Sequence, residues 1–584
     1  MTGGDGGRSR GMEMLRWLLR RYGAMPFAEA EAAVLASEEL SPLRTPAELR
    51  VAMLGLRRDG VLLAARNRWG DRTLYLPAEE LAAWHSLLFA AVPEPLPFGE
   101  RIVTAEGPAR CPGPRGRAPL SRQLLRTWAD LRRRGGLPLT ANGALHRARA
   151  AKLAEAMELA PQELAPLLGA AAADDAAIQA ALFLAIELGS ELGVLGRTVG
   201  AIEAGSGDGW SGFDGTMEEL DALLHSLLVR HYAPGDPGLH FAALSLGRLE
   251  PNRWYLERET REAFGMTERQ PGRAGWDAWL RAAACFGWME FGRRGEEETI
   301  RWTVRPHVGV PGKPGELSVP SGSSVPGVAD VPERPVVYVQ SDLEIIVPPE
   351  VGFGMRWRLE EIAERIALDH VSTYRLTRAS CENAVRLGLR PERIAETLRE
   401  AAGHALPAAA TGAIEDWLRD VRTGEQAEAA GHTLRRSAWL AGPLLLLPRP
   451  EPLRDCEPDG SVPSRDELFP GLAAVPPAWL AQTRRYHAST RKDMAELALA
   501  WRTSLRIEPD GGGGYSFIPE SLERLGESWS LVGRVRDAAN GDVAAEAVAA
   551  DSVMSARGTD RVALSVDSLG AIRLELPPEP RREL

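Results

Sequence analysis

Apolar residues near the N-terminus fall into three helical stripes followed by two alternating runs. Leu15, Leu18 and Leu19 share one face of MEMLRWLLRRYG, and FAEAEAAVLAS gives a second short helix. Thr45-Pro46-Ala47-Glu48 is a capping box with proline at the first helical position; Leu49, Met53, Leu54 and Leu56 follow on one side until Gly60. VLLAARNRWGDRTLYLP predicts a hairpin with arms Val61 to Ala65 and Thr73 to Leu76 around a tip rich in Asn, Gly and Asp. Helices followed by a hairpin predict a winged helix over residues 1–95.

Residues 96–118 lack apolar periodicity and read as a Pro/Gly/Arg linker. From 119 to 305 the pattern is mainly helical, through Leu124, Leu125, Trp128 and Leu131, then Leu182 and Leu188, then Leu220, Leu223 and Leu224. Trp276, Trp279, Leu280 and Ala283 make another helix, and WMEFGRRGEEETIRWTV predicts a second wing. Its Glu296, Glu297 and Glu298 would repel phosphate, so a repeated architecture need not repeat a binding role. Residues 306–335 form a Pro/Gly/Ser linker.

The next stretch, 336–435, opens with a β-branched run that stops at Pro348-Pro349, reading as a strand or tight strand pair. A helix should follow, with Trp357, Leu359, Ile362, Ala363 and Ile366 on one face and Glu360, Glu361, Glu364 and Arg365 on the other. Val371 to Leu376 is β-prone, Thr377 caps a helix closing at Gly388, and a further helix runs from Pro391 to Gly403. In this order, VQSDLEIIVPP and STYRLTRAS resemble the helicase-associated domain found beside the ATPase core of XPB-type DNA helicases. The resemblance implies a small α/β accessory domain that engages nucleic acid and has no chemistry of its own. LPLTANGALHRARAAKLAEAM is similar to a short strand entering a further helix-turn-helix-like unit in such proteins.

Residues 436–483 are proline-rich and read as a linker. In 484–584 a helix with Met494, Leu497, Ala498 and Trp501 runs into several alternating strands. The order resembles a WYL domain, the small β-barrel that senses ligands or nucleic acid in bacterial regulators. The name-giving triplet reads Trp529-Ser530-Leu531, a departure that favours a purely structural barrel over a ligand sensor. The fold class expected is therefore α+β multidomain: winged-helix units, a small α/β helicase-associated domain and a C-terminal small β-barrel.

Composition narrows the chemistry. A chain of 584 residues exceeds a single core, and its net charge of −11 argues against coating nucleic acid along the whole surface. One window is strongly basic: Arg101 to Lys152 holds 12 Arg/Lys against 2 Asp/Glu. It reads equally as a phosphate strip or as a solvated linker and helix face. The cysteines, Cys111, Cys285, Cys381 and Cys456, are too scattered for a disulfide scaffold or a zinc pattern, and no metal or cofactor is expected. Gly207 to Gly212 fits GxGxxG, but lacks the strand before and the helix after that a dinucleotide site needs. With no long apolar run and no signal-peptide centre, a cytoplasmic protein without membrane contact is expected.

A helicase motor needs GxxxxGK[ST] to cradle the triphosphate, and the chain has none, so a non-enzyme is expected. The candidate nucleic-acid contacts are Arg50, Arg57 and Arg58 on the third helix, Arg66, Arg68 and Arg72 on the hairpin, and Tyr374, Arg375, Thr377 and Arg378. The last four meet at a helix N-terminus, whose free N–H groups suit a phosphate. Against this stand solvated arginines, a core tyrosine and a plain helix cap. The leading expectation is a bacterial DNA-binding accessory protein in repair, unwinding or transcription, beside a separate helicase or transcription machinery. The alternatives are a ligand-responsive transcriptional regulator and a protein-docking scaffold.

Overall fold

The computed structural model describes residues 5–40, 44–105, 117–154, 177–205, 215–266, 272–306, 336–428, 444–447, 453–509, 514–525, 528–536, 561–565 and 569–579, with a few isolated positions between them. The GxGxxG stretch, Cys111 and the linker at 307–335 lie outside these residues. The chain forms two compact units, one from residues 1–84 with 451–584 and one from residues 85–450.

The first unit begins with helices α1 (Asp5–Arg21), α2 (Glu29–Glu39) and α3 (Pro46–Arg58) and the hairpin β1 (Leu63–Arg66) and β2 (Arg72–Tyr75). The capping box of α3 is formed: Thr45 Oγ1 accepts from the Glu48 N–H at 3.2 Å, and Glu48 Oε2 accepts from the Thr45 N–H at 2.9 Å. Phe27 bridges Leu74, so β2 lies between Phe27 and β1. Helix α4 (Leu81–Leu88) begins in this unit and ends in the second.

In the second unit the same order recurs twice. Helix α5 (Leu120–Arg133) leads into β4 (Leu137–Pro138), α6 (Arg147–Ala154), α7 (Ala177–Glu191) and the hairpin β5 (Leu195–Arg197) and β6 (Ala201–Ala204), preceded by β3 (Val103–Ala105). Its sheet order is β4-β6-β5. Ala201 to Ala204 is thus a true strand, although its sequence makes a poor one. Helices α8 (Met217–His231) and α9 (Pro237–Leu246) then lead into β7 (Trp254–Leu256), α10 (Glu257–Ala263), α11 (Gly272–Cys285) and the hairpin β8 (Met289–Arg294) and β9 (Glu297–Trp302). The order is β7-β9-β8, with β3 added on the outer edge of β8. In both of these repeats the second hairpin arm lies between the first arm and the short strand that precedes the helices, whereas in the first unit β2 has β1 on one side and the single bridge to Phe27 on the other. The last repeat is held by buried tryptophans: Trp279, Trp288 and Trp302 surround His225 at centroid distances of 5.5 to 5.6 Å.

The unit continues with β10 (Tyr338–Val339), β11 (Glu344–Val347), α12 (Phe353–Ile362), β12 (Glu364–Ala367), β13 (Ser372–Arg375), α13 (Arg378–Arg386), α14 (Pro391–Ala402) and α15 (Ala408–Glu428). The sheet runs β10-β11-β13-β12, over a core of Val337, Ile345, Val347, Leu359, Tyr374, Ile394 and Leu398. Gly403 closes α14 in the left-handed conformation, φ +67. One expectation fails here. The helix carrying Trp357 ends at Ile362 instead of running through Ile366, because residues 364–367 pair with β13, Arg365 opposite Tyr374. Ile366 is consequently half exposed.

The remaining elements return to the first unit: β14 (Glu457–Pro458), α16 (Arg465–Leu468), α17 (Pro477–Ala481), α18 (Ala488–Trp501), β15 (Leu505–Glu508), β16 (Tyr515–Leu525), β17 (Ser528–Arg536), β18 (Arg561–Ser565) and β19 (Ala571–Leu574). The proline-rich stretch is part of the fold: β14 pairs with β1, and Leu468 and Phe469 share a core with Ala47, Val51 and Leu54 of α3 and with Trp501. The expected barrel is not closed among the described residues. The five strands lie open in the order β18-β17-β16-β15-β19. Arg484 explains the free end: it takes the outer edge of β19, exchanging bonds with Ile572 at 2.8 and 3.2 Å where a closing strand would pair.

Candidate nucleic-acid interface

The arginines of the first unit divide sharply. The α3 face that the sequence offers to DNA is turned into the protein. Arg57 is buried, its Nη2 donating to the Ser461 carbonyl, and Arg50 donates to the Leu468 carbonyl at 3.0 Å and pairs with Glu29 at 3.3 Å. On the hairpin, Arg66 and Arg72 both pair with Asp459, at 3.0 and 2.8 Å, and Arg72 also donates to the Ser461 hydroxyl at 2.8 Å. The Ser461 bonds, first, and the Arg72 guanidinium hold the Asp459 carboxyl well below the usual carboxylate range.

Arg58 and Arg68 remain exposed with no ion pair among the described residues. Arg68 sits on the hairpin tip with its guanidinium 4.2 Å from the ring centroid of Trp69. That tryptophan is 71% exposed, a large apolar surface left in water on an ordered loop. Order comes from Asn67: its Oδ1 accepts from the Trp69 and Asp71 N–H groups, both at 2.9 Å, and Gly70 completes the turn at φ +86. Sequence reasoning named Arg68 and passed over Trp69. The signal was present: an indole at a polar hairpin tip has no core to enter.

The second candidate group surrounds β13. Tyr374 is fully buried and its hydroxyl donates to Glu360 Oε1 at 3.0 Å. Burial, and then the Glu360 charge, push the phenol pKa well up. Thr377 caps α13, its Oγ1 accepting from the Ser380 N–H at 3.1 Å. Arg375 pairs with Glu344, and Arg378 with Glu382 at 2.8 Å. Of these four, Arg375 and Arg378 are exposed.

Glu360, placed by its sequence pattern on the solvent face, is the buried centre of this region. Its carboxylate accepts from Arg133 at 2.6 Å, from Arg365 at 2.7 and 2.8 Å and from Tyr374. Burial alone would lower the Arg365 pKa, but the bonds and charge of Glu360 outweigh it and raise the value. The neighbouring Arg132 pairs with Glu361 at 2.6 Å. Arg132 and Arg133 of the basic window are thus paired within the chain, and Arg122 pairs with Asp369 at 3.6 Å. Arg134, Arg149 and Lys152 stay exposed and unpaired among the described residues.

Residues 337–434, the segment running from β10 through α15, match the family described as the helicase conserved C-terminal domain. A helicase-related C-terminal domain is present in this chain. A search of curated proteins finds no match. Among the described residues no group of His, Cys, Asp and Glu could hold a metal ion, and no helix is long and apolar enough to cross a membrane.

Proposed function

We propose that this chain is a non-enzymatic, cytoplasmic, DNA-binding accessory protein that works beside a separate helicase or transcription machinery. The observation that carries the reading is the Arg68–Trp69 pair on the ordered hairpin tip. An indole held in water beside a guanidinium offers a stacking face to an unpaired base and a cation to its phosphate. The helicase-family match at 337–434 and the exposed Arg58, Arg134, Arg149 and Lys152 support the same reading. The repeated order of helices and hairpin is what three winged-helix units would have. In the first, the hairpin serves as the reader, since α3 packs against residues 465–501.

The pairing of Arg50, Arg66 and Arg72 with carboxylates of the chain itself favours a second reading, a docking scaffold that binds protein only. Gel shifts over duplex, fork and single strand at two salt concentrations separate the two. Phosphate contacts release counterions and weaken as salt rises. Loss of a shifted band on replacing Arg68 and Trp69 by alanine is expected, and an unchanged band counts against the hairpin as reader.

A further inference from the structure

A cavity of about 700 Å³ opens in the second repeat, within the size range of small-molecule sites. Its walls are apolar: Leu139 and Leu145 from the loop after β4, Phe183 from α7, Ile202 from β6, and Leu444 and Leu446. Thr140 and His146 also line it, and one arginine reaches it. Arg197, on β5, has its Nε buried with no hydrogen-bond partner and makes no ion pair among the described residues.

The loop that faces Arg197 is shaped around it. Leu139 bridges Leu145, Thr140 and Ala144 close the turn by a 2.7 Å backbone bond, and Thr140 Oγ1 accepts from the Ala144 N–H at 3.1 Å. Gly143 lies at φ +76, and a Cβ there would stand 2.7 Å from Arg197 Nη2. A side chain at that φ would be strained, and glycine leaves free the space that the guanidinium takes. A buried, unpaired donor on a cation is costly unless something accepts from it.

The geometry points to a binding site for a small carboxylic acid with an apolar body, its carboxylate on Arg197 and its chain among the leucines. Arginine meets a carboxylate through two parallel bonds. One guanidinium in a largely aliphatic wall suits a carboxylate monoanion with an apolar body; His146 and Thr140 are the further polar groups on the lining.

Calorimetric titration of the full chain with decanoate, below its micelle concentration, tests this, with decanol as the neutral analogue. Wild type is expected to bind decanoate saturably. Arg197→Gln should weaken decanoate by about tenfold or more, the loss of one charge-assisted pair, and leave decanol unchanged. Ala144→Trp, which fills the mouth and keeps the charge, should abolish both. Absence of saturable decanoate binding to wild type, equal decanoate affinity in Arg197→Gln, or undiminished binding to Ala144→Trp would overturn the proposal.

Discussion

Arg133, at the end of α5, donates to the buried Glu360 carboxylate at 2.6 Å across 227 residues of chain. This bond and its neighbours tie the helicase-related domain to the helical repeat before it. Trp128 of the same helix meets Phe353 edge-on at 6.2 Å, and Trp357 donates to the Gly205 carbonyl at 3.3 Å. The domain is therefore built into the second unit.

Replacing Glu360 by glutamine leaves two guanidiniums facing a neutral amide. Removing one partner of a buried pair typically costs about 3 kcal/mol or more. Urea unfolding of Glu360→Gln should show a lower midpoint than wild type, with Tyr374→Phe losing only about 1 kcal/mol, one hydrogen bond. Equal midpoints for Glu360→Gln and wild type would mean that the network does not hold the domain.

Asp221 is fully buried, and burial pushes its carboxyl up to about 6 although Ser121 and Trp288 donate to it. Between the ordinary value of 3.8 and about 6 the folded state keeps a proton that the unfolded chain releases. Stability should fall as pH rises through that window, by about 1.4 kcal/mol per pH unit. Asp221→Asn keeps an acceptor and cannot titrate, so wild type should lose stability relative to the variant from pH 4 to pH 6. Parallel profiles would contradict the assignment.

Gly275 of α11 packs on the first turn of α9, where a Cβ would come within 2.2 Å of the Gly238 carbonyl carbon. Backbone cannot yield as a side-chain tip can. Gly275→Ala should destabilise the second unit by about 1–3 kcal/mol, measured by thermal unfolding, despite alanine being the better helix former.

Local signals were the ones legible in the sequence. The α3 capping box, the Thr377 cap, the Gly403 stop and the hairpin arms near Leu63 and Thr73 each depend on residues a few positions apart. What escaped depends on distant partners. Arg57 and Arg72 look like surface cations until Ser461 and Asp459, some 400 residues later, meet them. Glu360 sits in a polar stripe, and it becomes interior where β12 folds back beside β13 and Arg133 of α5 reaches it. The open C-terminal sheet has the same origin, since an edge taken by Arg484 leaves no trace in strand periodicity.

The central claim is tested most directly by fluorescence anisotropy of labelled forked DNA titrated with wild type and with the Arg68→Ala/Trp69→Ala variant at low and high salt. Both residues are exposed, so the variant should keep its fold. The account predicts salt-sensitive binding by wild type and a loss of about tenfold in the variant, the worth of one stacked base and its cation. Equal affinity of the two proteins, or no binding of forked DNA by wild type, would contradict it.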